Sequence, residues 1–202
     1  METPYRADNL TQMPLEHYMG RLQEADAAEI AARLGLPYDG RGFTLTVLGQ
    51  DWHINFPAFD DEGWTDRWRI LFGRYLLEGK KAAPMTGFVT YSQMPWGETY
   101  NEKFRQRCIL RLAGTYGYKI DRFKAICRAM GAASVPGSGV TYEFEFLPGL
   151  LVRFTLWGGD EEFAPTSQIL FSDNFPDGFA AEDRVVVCEY ILGEMKLVGM
   201  DL

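Results

Sequence analysis

Asp160, Glu161 and Glu162 are three consecutive carboxylates on a glycine-hinged loop, Trp157-Gly158-Gly159-Asp160-Glu161-Glu162-Phe163, and Asp173 follows the nearby apolar run Ile169-Leu170-Phe171. Two chemistries suit such a set. Its oxygens are hard ligands of the kind Mg²⁺ or Ca²⁺ takes, and carboxylates that converge on a pocket can divide acid and base roles between them. No EF-hand loop or other metal-specific spacing accompanies these residues, so a solvated or internally paired acidic surface competes with both readings.

Charge along the chain sharpens the question. Between Phe154 and Asp183 there are seven acids and no Lys or Arg. Residues 1–66 hold 4 basic and 12 acidic side chains, residues 67–128 hold 13 and 4, and residues 129–202 hold 3 and 12, within an overall charge of −8. The basic middle is organised in helical rows, Lys103, Arg107, Arg111 and Arg122, Lys124, Arg128, that can face an anionic ligand or an acidic protein partner. The acidic loop can therefore be relieved by these rows, by a cation or by solvent. A homodimer that sets each loop against the other subunit's basic helices satisfies both surfaces at once. Net negative charge disfavours nucleic acid, whose affinity rests on Lys and Arg releasing counterions.

The remaining reactive types are sparse. His17 and His53 are the only histidines, and His53 stands between Asp51 and Asn55 on one strand face, where a hydrogen-bonded structural role is the plain reading. Cys108, Cys127 and Cys188 are far apart within apolar helical patterns and read as buried free thiols. Their spacing gives no zinc or iron–sulfur ligand set. The Gly35–Gly42 region does not fit a dinucleotide fingerprint, and G-x-S-x-G, P-loop and H-E-x-x-H patterns are missing from the sequence.

These residues need elements to position them. Pro14 suits the first turn of a helix from about Leu15, and Asp26 with Glu29 forms a capping box before a helix that Gly35 can end. Period-two alternation over Phe43–Leu48 and Trp52–Phe56 predicts a hairpin, and Trp64, Trp68, Leu71, Phe72, Tyr75 and Leu76 draw one broad helical face after the acidic turn Asp60–Gly63. Phe88–Tyr91 reads as a short strand. Thr99 with Glu102 makes a second capping box ahead of a helix carrying Tyr100, Phe104, Cys108 and Leu112 in one row. Phe123, Ile126, Cys127 and Met130 point a further helix inward, and the glycine-rich segment 131–139 reads as a loop. Tyr142–Phe146 and Leu151–Trp157 flank a Pro148-Gly149 turn, and an amphipathic helix with a seam at Ala181, Val185, Cys188, Leu192 and Met195 ends the pattern.

Three pieces together resemble a known family: Leu71-Phe72-Gly73-Arg74-Tyr75-Leu76-Leu77-Glu78-Gly79; Thr86-Gly87 with Phe88 to Tyr91; and Trp157 to Phe163 with Ile169-Leu170-Phe171. The sequence is similar to the prokaryotic family catalogued as domain of unknown function thirty-seven eighty-six, with the acidic stretch its most specific part. Some members carry an added cysteine-rich segment thought to bind an iron–sulfur cluster, and the resemblance therefore implies a loose link to anaerobic redox and corrinoid metabolism. This chain departs from that pattern, and the resemblance supplies no catalytic residue and no cofactor.

The expectation is a single α+β domain over 1–202, with a soft lobe boundary in 131–139: roughly six short strands in antiparallel hairpins and about five helices against them. With 47% hydrophobic residues the chain can bury a core, and no window has the roughly 20 apolar residues of a membrane span. Its opening residues, Met1 to Arg6, lack a signal-peptide pattern, so it reads as cytoplasmic. Two functions remain: a binding or accessory module without catalysis, or a divalent-metal-assisted hydrolase built on Asp160, Glu161, Glu162 and Asp173.

Overall fold

Local signals in the sequence set most element ends. The computed structural model describes residues 15–60 and 62–202; Met1 to Arg6, Pro14 and Asp61 of the acidic turn lie outside them. Helix α1 (Leu15–Glu24) is followed by α2 (Ala27–Leu34), whose N-cap Asp26 accepts from the backbone N–H of Ala28 and Glu29. Gly35 closes α2 in the left-handed region, as a glycine cap does at little steric cost. Strands β1 (Gly42–Val47) and β2 (Gln50–Asn55) meet through Leu48-Gly49, both with positive φ, the backbone hand that matches strand twist in a two-residue hairpin.

The chain's contacts group into two compact units. The first takes the described residues through Thr46, Gln50–Ala82 and Asp177–Phe179. It contains α1, α2, most of the hairpin and α3 (Asp66–Glu78). Burial on α3 extends beyond the expected stripe to Ile70 and Arg74, while Trp64 stands edge-on to Trp52, Phe59 and Phe72 at 5.1–5.6 Å. The guanidinium of Arg33 donates to the carbonyls of Leu76 and Gly79, a cation placed on the negative end of α3.

The second unit takes Val47–Gly49, Ala83–Pro176 and Ala180–Leu202. Its five strands are β3 (Phe88–Thr90), β4 (Ala133–Val135), β5 (Val140–Leu147), β6 (Leu150–Trp157) and β7 (Thr166–Ser172). They form one antiparallel sheet in the order β3-β7-β6-β5-β4. Together with the helices this is the expected α+β class. Tyr142, Phe144 and Phe146 of β5, Val152 and Phe154 of β6, and Ile169 and Phe171 of β7 bury one face. The opposite face carries the Glu143–Arg153 pair at 2.7 Å, with the Arg153 guanidinium 3.7 Å from the centre of the Phe88 ring.

The glycine-rich segment 131–139 is not wholly a loop: β4 lies within it, pairing with Thr141–Glu143. Ala133 and Ser134 carry little strand signal of their own, and the exposed edge of β5 supplies it.

Helix α4 (Gly97–Phe104), a π-helical segment over Arg105–Ile109, and α5 (Leu110–Tyr116) run as one rod. The rod corrects the expected Thr99 cap. It starts at Gly97, behind Trp96 at φ 61°, because a Cβ on residue 97 would lie 1.9 Å from the Tyr91 carbonyl oxygen and only glycine lets that turn close. The row Tyr100, Phe104, Cys108, Leu112 is fully inward. At α-helical pitch such a row drifts by roughly 120°, and the wider π turn winds it back onto one face.

Helix α6 (Ile120–Ala129) buries Phe123, Ile126 and Cys127, but Met130 ends half-buried. Helix α7 (Ala181–Met200) buries its expected seam and also Glu182, Asp183, Arg184, Val186, Val187, Tyr190 and Ile191. It is a central rod rather than an amphipathic one, because it packs on α6, α4 and the π segment. No helix among the described residues is long and apolar enough to cross a membrane.

Candidate functional site

The acidic loop is held by its own backbone. The Asp160 N–H donates to the Phe163 carbonyl at 3.0 Å, and Asp160 Oδ1 accepts from the N–H groups of Phe163 at 2.7 Å and Glu162 at 2.9 Å. Those donors hold the Asp160 carboxyl below its usual range, Phe163 contributing most. Gly159 donates to the Gly117 carbonyl at 3.1 Å, and a Cβ there would fall 2.7 Å from Tyr118 Cε1 and 2.6 Å from Pro165 Cδ, so the hinge glycine is required by close approach. Glu161 and Glu162 are exposed at the tip, with Phe163 69% and Tyr118 65% exposed beside them.

Asp173 does different work. Its N–H donates to the Gly87 carbonyl at 3.0 Å, Oδ1 accepts from the Thr86 N–H at 2.9 Å, and Oδ2 accepts from the Thr86 hydroxyl. The Thr86 hydroxyl is the main cause that lowers the Asp173 pKa. Next to it, Asn174 Nδ2 donates to the carbonyls of Ala83 and Gly149. Asp173 and Asn174 together thus fasten residues 83–87 to the end of β7, while Asp160 serves its own turn. Among the described residues no three His, Cys, Asp or Glu side chains gather so that they could hold a metal ion.

The basic rows divide. Lys103 is exposed with its ammonium 5.7 Å from the centre of the Tyr100 ring, and Arg111 is exposed. Arg107, in the π segment, is turned to α7, where it pairs with Glu182 at 2.7 Å and with Glu189 at 2.6 Å. Arg122 donates to the Gly199 carbonyl, and Lys124 pairs with Asp121. His53 lies 3.4 Å from Asp39, both exposed. All three cysteines are free and buried, and burial pushes the thiols of Cys127 and Cys188 up, away from nucleophilic use.

Sequence reasoning missed a cavity of about 350 Å³ in the second unit. Its walls are the turn Leu48-Gly49, the end of α6 from Ala129 to Ala132, and Phe144 and Glu145 of β5. It exists because the β5 edge is only partly covered. Strand β4 pairs with Thr141–Glu143, and the Leu48 N–H donates to the Phe146 carbonyl at 3.0 Å, so Phe144 and Glu145 stand between two backbone partners. Glu145 Oε1 accepts from the Gly149 N–H at 2.8 Å. The glycine-rich segment 131–139 was the one local signal for this place; the pairing that opens the gap is long-range.

A family model described as a domain of unknown function (DUF3786) matches residues 26–194. No curated protein and no solved structure matches the chain.

Proposed function

The chain belongs to the DUF3786 family of domains of unknown function, and from that premise and the geometry above we propose that it is a non-catalytic binding module whose ligand seat is the cavity between α6, β5 and the Leu48-Gly49 turn. One observation carries this reading. The cavity has the volume of a small-ligand site, about 350 Å³, and its walls are main chain and apolar side chains with a single ionisable group, Glu145. Such a wall orients a ligand; it does not supply the matched acid and base of proton-transfer catalysis. The hydrolase reading draws on Asp160 and Asp173, and their separate engagements with Phe163 and Thr86 weigh against it.

A fragment collection of mixed charge, followed by amide chemical shifts, tests the proposal. Saturable shifts are expected at Leu48, Gly131 and Phe144 in the parent chain and their loss in Ala132→Leu, which fills the cavity. A collection that moves none of these amides, or moves them equally in both chains, counts against it.

A further inference from the structure

Resting on that binding reading, we infer that the group the cavity accepts is a primary alkylammonium. Helix α6 ends at the wall, and a helix C-terminus carries partial negative charge. Its cap follows the Schellman pattern: the Met130 N–H reaches the Ile126 carbonyl at 2.9 Å, the Gly131 N–H that of Arg128 at 3.0 Å, and the Ala132 N–H that of Cys127 at 2.9 Å. These bonds leave the carbonyls of Ala129, Met130 and Gly131 outside the cap, on residues that line the cavity. Glu145 adds a carboxylate to the wall, with its Oε1 accepting from the Gly149 N–H.

The residues of the wall therefore bring the carbonyls at the end of α6 and the Glu145 carboxylate as acceptors, and none of its side chains is a hydrogen-bond donor: Leu48, Ala129, Met130, Ala132, Phe144 and Glu145 offer only apolar groups, a thioether and a carboxylate, so that its donors are main-chain N–H groups alone. Arg128, exposed on the last turn of α6, is not part of it. An ammonium group has three donors and no acceptor, and its methylene stem suits the Leu48 and Met130 side chains. A carboxylate or phosphate would meet like charge instead. The chain's net charge of −8 also favours the encounter with a cation.

The ammonium can belong to a free amine or to a lysine side chain of another polypeptide. Titration of the ¹⁵N-labelled chain at neutral pH separates the cases, with n-butylammonium, Nα-acetyl-lysine N-methylamide, n-butyltrimethylammonium, 1-butanol and butyrate as probes. Expected are saturable shifts at Gly49, Gly131 and Ala132 with n-butylammonium. Binding should weaken about tenfold for the trimethyl cation, which keeps the charge and lacks the donors, and about tenfold in Glu145→Gln. Glu145 is exposed and Gln keeps an acceptor for Gly149, so that variant should fold, as its amide spectrum will report. Tighter binding of the lysine derivative supports a polypeptide source, and equal or weaker binding supports a free amine. Butanol or butyrate saturating the site as tightly as n-butylammonium overturns the ammonium assignment and leaves the cavity reading standing. If no probe moves these amides, both fall.

Discussion

Arg107 grips Glu189 side-on: Nε donates to Oε1 at 2.9 Å and Nη2 to Oε2 at 2.6 Å, while Nη1 reaches Glu182 Oε1 at 2.7 Å. Both carboxylates are about nine-tenths buried on α7, so one guanidinium from the π segment is shared by two desolvated carboxylates seven residues apart. The fork geometry of Arg is what permits it. Arg107→Ala should lower stability by about 2–3 kcal/mol, because it strips two buried acids of the guanidinium they share. Arg107→Lys, which keeps charge without the fork, should lose roughly half as much. Urea unfolding checks both: the midpoint should fall with the slope unchanged, and a loss under about 0.5 kcal/mol for the Ala variant would place Arg107 among ordinary surface pairs.

Asp173 and Thr86 give a pH dependence with a defined sign. The folded-state pKa of Asp173 lies below its ordinary value of 3.8, with the Thr86 hydroxyl as main cause. A depressed carboxyl contributes stability that is present above its unfolded value and is lost as pH falls through the lower folded value. Thr86→Val should therefore move the Asp173 titration, followed by carboxyl ¹³C shifts, upward toward 3.8. The melting temperature of Thr86→Val should trail the parent at neutral pH, and the gap should close in acid. An unchanged titration would mean that the Thr86 contact does not persist in solution.

What could be read from the chain and what could not divide along contact range. Asp26, Gly35 and the alternation of β5 and β6 act on neighbours a few residues away, so the α+β class and most element ends follow from local pattern. Trp96-Gly97 overrode the Thr99 box because the deciding contact, with the Tyr91 carbonyl, lies outside the helix itself. β4 borrows its conformation from β5, and α7 is buried all round by neighbours that its own sequence does not reveal. The candidate acids were recognisable by type, yet Asp173's partner lies 87 residues away and Arg107's lie 75 and 82 away. Residue type announces a capacity; only tertiary pairing says whether it is already spent on the fold.

Gly114 and Gly117, three residues apart on the α5 rod, should respond to the same substitution with opposite signs. A Cβ at 114 meets nothing within 4 Å, so Gly114→Ala adds helix propensity without contact and should stabilise by about 0.5–1 kcal/mol. At 117 it would lie 2.1 Å from Pro165 Cβ and 2.5 Å from the Ala113 carbonyl oxygen, and Gly117→Ala should cost about 1–3 kcal/mol. In thermal melts the two should depart from the parent in opposite directions by a few degrees, about 2–4 °C per kcal/mol at this chain length. Parallel shifts would show that the Pro165 contact gives way freely.

Asp160 is the residue whose chemistry looked most available in the sequence, and its geometry assigns it to the turn that displays Glu161 and Glu162. Its Oδ1 holds the N–H groups of Glu162 and Phe163, and those bonds do not require a metal. Asp160→Ala should therefore speed amide exchange at residues 162 and 163 by about tenfold, the loss of a hydrogen bond to a charged acceptor, while Asp160→Asn, which keeps an acceptor oxygen, should change it less. Mg²⁺, Mn²⁺ or Ca²⁺ should leave the melting temperature of the parent and of Asp160→Ala alike. Stabilisation of the parent only would return Asp160 to the ligand role. The discriminating comparison is thus Asn against Ala: a turn cap tolerates the amide with or without cation, whereas a hard-cation site is weakened when the carboxylate charge is lost.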